Sequence, residues 1–286
     1  MTRPKPTADE LYDRPGFDTR FLAGTITPHL TASTQVASDL LVVRDGATVL
    51  PYEHFSLAMS VSRNMARWVA WNIHGSPADD KETIERLGFR QDPRVARTDQ
   101  IPDAFYREPL NRGHIARRAD LLWGDAAAAK RANDDSFYLT NITPQMDDFN
   151  QSAKKGLWGL LENDLLSRAH DNRISVLGGP IFHDDDAVLR GVKIPREFWK
   201  LFVYVLDGHA RVKGWVLTQK LSHLEGGEID LKEWDPYVVS LTELSSRTGL
   251  QLAGYAGAVE APLQTGHHEN GFVNRPPLTR LQDIAW

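Results

Sequence analysis

Apolar residues alternate with small or polar ones from His54 to Ser62, so that Phe55, Leu57, Met59 and Val61 share one face and His54, Ser56, Ala58 and Ser60 the other. That period of two predicts a half-buried strand. Arg67 to Ile73 reads as its partner, joined to it through Ser62-Arg63-Asn64-Met65-Ala66. Farther along, Phe137 to Ile142 predicts a strand that delivers the chain to Thr143-Pro144-Gln145, where proline ends regular pairing. The period then lengthens. Leu157, Leu160, Leu161, Leu165 and Ala169 recur at helical spacing, which predicts a helix over roughly 149–169 with one face on a sheet and Trp158 in the core. Asp125 is placed to cap a short helix through Ala126 to Ala129.

The C-terminal half is strand-rich and has no internal repeat. Ile174 to Leu177 predicts a strand running into a turn at Gly178-Gly179-Pro180. Glu197 to Leu206 and Arg211 to Gln219 predict a hairpin across Asp207-Gly208, a dipeptide favoured in tight turns. Asp235-Pro236 reads as the start of a helix through about Arg247, closed by Gly249. The pattern predicts an α+β fold with a central antiparallel sheet flanked by helices. Residues 1–35, rich in proline and polar side chains, predict an extended arm along the surface. Residues 75–110 predict loops punctuated by Gly75-Ser76-Pro77 and Asp92-Pro93. One domain is expected over 36–262, with a C-terminal tail at 263–286.

Composition narrows the function classes. The 286 residues are 41% hydrophobic, enough to bury a substantial core. A formal net charge of −5 argues against a protein that wraps nucleic acid over its whole surface. A local basic groove remains open to it, because Arg112, Arg117, Arg118, Lys130, Arg131, Lys154 and Lys155 fall close together in sequence. Cysteine is absent, which removes disulfides and thiolate metal sites from consideration. The N-terminus has no apolar leader segment and no stretch is long and apolar enough to span a bilayer. The expectation is therefore a leaderless chain with no membrane partner: cytoplasmic, exported by another route, or cut from a longer precursor.

The stretch Asn111-Arg112-Gly113-His114-Ile115-Ala116-Arg117-Arg118-Ala119-Asp120 crowds an imidazole, three guanidinium groups and a glycine into ten residues. Imidazole near neutral pH can take a proton from water, and arginines hold phosphate in a planar fork, so the cluster points to phosphodiester hydrolysis. Two further blocks follow in order. They are Asn141-Ile142-Thr143-Pro144-Gln145, and then Asn150, Trp158 and Glu162. Together the three blocks resemble the DNA/RNA non-specific endonuclease family, which includes the secreted Serratia-type nuclease and mitochondrial endonuclease G. The runs Phe-Ser-Leu-Ala-Met-Ser and Arg-Trp-Val-Ala-Trp resemble that family's opening hairpin, and Leu241-Thr242-Glu243-Leu244 with Thr248-Gly249-Leu250 its last core helix. The resemblance covers roughly residues 50–258.

What the resemblance implies is a ββα-metal finger with His114 as general base and Asn150 as the ligand of Mg2+, for which Mn2+ can substitute. Glu162 would hold a metal-bound water. Arg112 and Arg86 would offset charge on the phosphate, with Arg86 the better match in spacing to the family's arginine before Asp-Pro and Arg90 a live substitute. Asn141 would organise its turn and touch substrate, and Arg117 would bind substrate. DNA and RNA are the expected partners, and the resemblance admits a homodimer and an inhibitor protein. Two departures stand out: Asn111 where the family has aspartate, and an Asn150–Glu162 gap about four residues longer than in the secreted nuclease. If those extra residues are helical they move Glu162 about 6 Å. Two other readings are carried: a catalytically weak nucleic-acid-binding or regulatory relative, and a phosphodiesterase for small nucleotides. Asp184-Asp185-Asp186 is expected as a solvated turn and His267-His268 as part of the tail, neither as a metal site.

Overall fold

A computed structural model describes residues 5–22, 30–75, 83–146, 149, 173–219, 221, 237–255, 258–260, 267–269 and 272–274. The N-terminal arm is more structured than its composition indicates. Helix α1 (Ala8–Tyr12) begins with a capping box, in which the Thr7 hydroxyl accepts from the Glu10 backbone N–H and the Glu10 carboxylate accepts from that of Thr7. Leu11 then anchors the helix, fully buried in the core. Strand β1 (Thr31–Ala32) and helix α2 (Thr34–Ser38) follow, the latter capped by the Ser33 hydroxyl.

Three antiparallel strands come next, β2 (Val49–Tyr52), β3 (Phe55–Ser60) and β4 (Met65–His74). The β3–β4 pair is the hairpin expected from the alternating pattern, but β3 is buried on both faces. Phe55, Leu57 and Met59 face one core and Ala58 the other, while the polar positions between them are satisfied. Ser56 Oγ accepts from the Phe17 amide at 2.9 Å, and Ser60 Oγ donates to Asp39 at 2.5 Å. A serine whose hydroxyl finds a partner is cheap to bury, so alternation need not mean exposure.

The chain then crosses to β5 (Leu110–His114), α3 (Arg118–Leu121), α4 (Ala126–Ser136) and β6 (Ile142–Met146). Asp125 caps α4 as expected, accepting from Ala128 N at 2.7 Å, but the helix runs on to Ser136. The strand expected at 137–142 starts only at Ile142 and continues through Pro144, because β5 and β6 form a separate two-stranded ribbon in which a missing proline donor costs little.

Strand β7 (Arg173–Ile181) passes straight through Gly178-Gly179-Pro180, where a turn was expected. These glycines serve close approach: a Cβ on Gly178 would sit 2.9 Å from the Trp199 carbonyl and one on Gly179 2.9 Å from that of Arg67. A small hairpin, β8 (Val188–Leu189) and β9 (Val192–Lys193), precedes β10 (Glu197–Leu206) and β11 (His209–Thr218). The β10–β11 turn is the expected Asp207-Gly208, with φ of 51° and 73°. The C-terminal helix is shorter than expected. Tyr237–Val239 forms an edge strand, β12, as its aromatic and β-branched run favours, and α5 (Leu241–Thr248) begins after the Ser240 cap. Gly249, at φ 69°, closes α5 as expected. Strand β13 (Leu250–Gln251) pairs β1, and β14 (Val259–Glu260) joins β11 in parallel. His267-His268 lies in β15 (His267–Glu269), paired with β16 (Phe272–Asn274), rather than in an unstructured tail.

The eight-stranded sheet runs β12-β11-β10-β7-β4-β3-β2 with β14 beside β11, and all its ladders but that last one are antiparallel. Trp71, Val176, Phe202 and Trp215 cover one face together with Ile115, Leu121 and Ile142 from the β5–β6 region. Trp199, Leu201 and Val216 cover the other, with Val36, Leu244 and Leu250. Among the described residues no helix is long and apolar enough to cross a membrane.

Candidate active site

The Arg-Gly-His motif lies in strand β5. In β5, Arg112 and His114 share one face by the two-residue period, and Asn111 and Gly113 share the other. Each is locked in register: Arg112 opposite Pro144, Gly113 opposite Thr143, His114 opposite Ile142. Gly113 is required by its neighbour. A Cβ there would overlap the Oε1 and Cδ atoms of Gln145, and Gln145 is fully buried. Gly113→Ala is expected to cost about 1–3 kcal/mol of stability, as overpacking does, and to twist β5 away from β6. A lowered Tm together with lost cleavage would show it; an unchanged Tm would contradict the packing.

Asn141 secures the next turn. Its Oδ1 accepts from the Ala116 amide at 2.9 Å, and its Nδ2 donates to the carbonyls of Ala116 at 2.9 Å and Ser136 at 3.2 Å. The side chain is fully buried and its amide donors both go to backbone carbonyls, tying the end of β5 to the turn that leads into β6.

His114 sits between two rings, with Phe89 and Phe137 centroids each 5.5 Å away. Its Nε2 is buried and has no hydrogen-bond partner among the described residues. Burial, and then the charges of Arg86, Arg118 and Arg117, push its pKa down to about 3. The imidazole is thus neutral at any ordinary pH.

The segment carrying Arg86 and Arg90 is sewn to the finger. The Arg90 amide donates to Phe137 O at 3.1 Å and its carbonyl accepts from Leu139 N at 2.8 Å, which places Phe89 against His114. Arg118 Nη2 donates to Ile84 O at 2.7 Å, and Asn133 Nδ2 to Glu85 O at 3.0 Å. Arg86 follows these anchors, exposed, and its charge reaches both His114 and Arg118. Arg90 is used differently: its guanidinium lies 4.4 Å over the Tyr138 ring and donates to Asp134 O at 2.8 Å. Between the two, Arg86 is the exposed one and Arg90 the one engaged in packing. Arg112, two residues before His114 on the same strand, is held by Asp103, Nε to Oδ1 at 2.6 Å, and both Arg112 and His114 lie against Phe89. Sequence reasoning missed Asp103, Phe89 and Phe137, since nothing in their local pattern sets them apart from ordinary loop and core residues.

Other candidates resolve into scaffold. Arg131 forms a bidentate pair with Glu53 at 2.8 and 3.2 Å. In the acidic triplet, Asp186 is buried against Arg63 at 2.9 Å and Asp185 pairs with Arg196, so the turn is ion-paired rather than merely solvated. Among the described residues no group of three or more His, Asp or Glu comes together that could hold a metal. Asn150 and Glu162, expected around the metal, lie outside the described residues, as do Trp158 and the helix expected over 149–169 apart from Phe149.

Known proteins resemble this chain in sequence and in fold. A family model described as DNA/RNA non-specific endonuclease matches residues 33–256. An uncharacterised Sinorhizobium fredii protein, y4fB, is 36% identical over 72% of this chain, which spans only 33% of that protein's length. The nuclease of Serratia marcescens is 27% identical over 74% of this chain and 77% of its own. Human mitochondrial endonuclease G is 36% identical over 64% of this chain and 57% of its own. The solved structure of an EndoG/EndoGI complex superposes with a TM-score of 0.57 at 17% identity, over 77% of this chain and 94% of that one, and so shares the fold. The finger, the sheet that carries it and a family match across most of the chain lead to one assignment: this chain belongs to the DNA/RNA non-specific endonuclease family.

Proposed function

We propose that the chain is a magnesium-dependent endonuclease that hydrolyses DNA and RNA with little sequence preference and leaves 5′-phosphate ends. The observation that carries the reading is a neutral imidazole whose buried Nε2 is unpartnered among the described residues and lies within the field of Arg86, Arg117 and Arg118. His114 accepts the proton of the attacking water at Nε2, and Phe89 and Phe137 fix the plane of the ring. Arg86 and Arg112 bind the phosphate and oppose the charge that grows on its equatorial oxygens. Arg117 and Arg118 add to that positive field. Magnesium, held through the side-chain oxygen of Asn150 with Glu162 fixing one of its waters, would relieve charge on the departing 3′ oxygen; amide and carboxylate oxygens are the donors such a hard cation prefers.

Asn111 bears on the alternative of a disabled relative. It faces away from Arg112 and His114, so its neutral amide removes no group from the chemistry. The roles named all address phosphate and water, which every nucleotide presents alike, and none addresses a base edge.

The test is to digest plasmid, oligodeoxynucleotide and RNA side by side, with magnesium and with chelator, and to map the ends. Cleavage of all three that falls steeply with added salt is expected. A sharp recognition motif, strict preference for one sugar, or 2′,3′-cyclic phosphate ends would defeat the reading, and hydrolysis confined to a small aryl phosphodiester would favour the small-nucleotide alternative. Asn150→Ala should lose magnesium binding by calorimetry as well as cleavage; unchanged binding heat would move the ligand, with Asp147 and Asp148 next in line. An inhibitor protein and a homodimer belong to the same proposal, the first supported by the structural neighbour EndoG, which was solved in complex with EndoGI as a case of EndoG inhibition.

A further inference from the structure

Arg112 does not stand free in front of the finger. It donates from Nε to the Asp103 carboxylate at 2.6 Å and from Nη2 to the Asp103 carbonyl at 3.3 Å. Its guanidinium carbon lies 5.4 Å from the ring centre of Phe89 and 5.8 Å from that of Tyr106. These contacts use the inner edge of the guanidinium, formed by Nε and Nη2. The outer edge, Nη1 with the second Nη2 hydrogen, has no partner among the described residues. Arginine meets phosphate through two parallel donors in one plane, so that outer edge is the one still able to receive a phosphodiester.

Asp103 is itself held. It opens the short turn Asp103–Phe105, and the loop behind it is gripped by Arg190. Arg190 donates from Nη1 to the carbonyls of Phe105 at 2.9 Å and Arg107 at 3.4 Å, and from Nη2 to that of Glu108 at 3.0 Å. It stands at the tip of the β8–β9 hairpin with φ 50°, followed by Gly191 at φ 81°. A non-glycine residue in that left-handed region is uncommon. Here it aims a side chain that spans three carbonyls.

The geometry points to Asp103 as a positioning residue for Arg112: its carboxylate fixes the guanidinium side-on, so that the outer edge is left to meet a phosphate, and Arg190 braces the loop that carries it. The inference rests on the nuclease reading above. Simple charge predicts the opposite outcome, since a carboxylate this near a bound phosphate repels it and its removal should tighten binding. The sign of the effect therefore decides between positioning and repulsion.

The experiment measures binding of a fluorescein-labelled single-stranded oligodeoxynucleotide by anisotropy in low salt with chelator, beside plasmid cleavage with magnesium. Asp103→Ala and Asp103→Asn should each weaken binding by about fivefold and lower kcat/KM by about tenfold, although each removes a negative charge. Asp103→Glu, which keeps the charge, should recover part of the loss. In an Arg112→Ala background, Asp103→Ala should no longer weaken binding and should tighten it slightly, because only the charge effect remains. Melting curves of the same variants identify any that fail to fold, and Asp103→Asn, the closest in shape, keeps the question decidable. Tighter binding by Asp103→Ala and Asp103→Asn, or equal weakening with and without Arg112, would overturn the positioning role. A wild type that binds but never cuts overturns the nuclease reading while the binding data still judge Asp103, and one that neither binds nor cuts overturns both.

Discussion

His114→Ala is expected to lower turnover by about two to four orders of magnitude, the usual contribution of a positioned general base. The residue lies on β5 between Phe89 and Phe137, so the substitution also opens space between two rings. A modest fall in Tm should accompany the loss of activity, where a loop histidine would have produced none. His114→Gln fills more of that space without supplying a comparable base and should recover stability but not turnover. A variant cleaving at the wild-type rate would remove the general-base role.

The same histidine sets the pH dependence. Its sequence alone predicts activity declining as pH falls through ~6.5, the ordinary imidazole value. Burial and three arginines move the folded value down to about 3, so the base-competent neutral form persists far below neutrality. For the free enzyme, the acid limb of kcat/KM should therefore lie well below 6.5. Bound phosphate brings negative charge among Arg86, Arg117 and Arg118 and cancels part of what holds the pKa down, so the limb of kcat should lie higher than that of kcat/KM. A kcat/KM limb at 6.5 would contradict the buried site. Stability follows the same linkage. An unfolded chain takes up the proton below ~6.5 and the folded one refuses it until about 3, so the stability associated with this group is full above ~6.5 and is lost progressively as pH falls across that window.

What was legible in the sequence was chiefly what local chemistry dictates. The Asp207-Gly208 turn, the Asp125 cap and the Gly249 stop each follow from one residue's backbone preference, and each is where it was expected. The errors share a cause. Gly178-Gly179-Pro180 reads as a turn because glycine's other use, letting a neighbouring backbone come close, depends on strands distant in sequence. Gly113 is illegible for the same reason: glycine signals flexibility to a local reading, yet here it clears space for Gln145 on the paired strand. His114, Arg112 and Arg86 could be named from motif order, but the partners that tune them, Asp103, Phe89 and Phe137, come from three-dimensional neighbours with no motif of their own.

The choice between Arg86 and Arg90 shows what geometry adds, since both stand shortly before Asp92-Pro93 and spacing favours Arg86 while leaving Arg90 a live substitute. Arg90 stacks on Tyr138 and donates to Asp134 O, while its backbone stitches the segment to Phe137 and Leu139. Arg90→Ala should therefore cost about 1–3 kcal/mol of stability, from a charged hydrogen bond and a cation–π contact, and change kcat/KM little in the protein that remains folded. Arg86 is exposed, and its neighbours Ile84 and Glu85 are tied by their carbonyls to Arg118 and Asn133, so a flexible side chain springs from a fixed base. Arg86→Ala should leave Tm nearly unchanged and lower kcat/KM by about 10²–10³-fold, the loss typical of one preorganised donor to a developing oxyanion. It should also move the acid limb of kcat/KM upward, because Arg86 is the foremost of the charges that depress His114. That second readout separates a role in the site from a general loss of positive surface charge: a remote arginine removed as a control would weaken binding without shifting the limb. Should Arg90→Ala instead lose activity with its stability intact, and Arg86→Ala cleave normally, the two assignments must be exchanged.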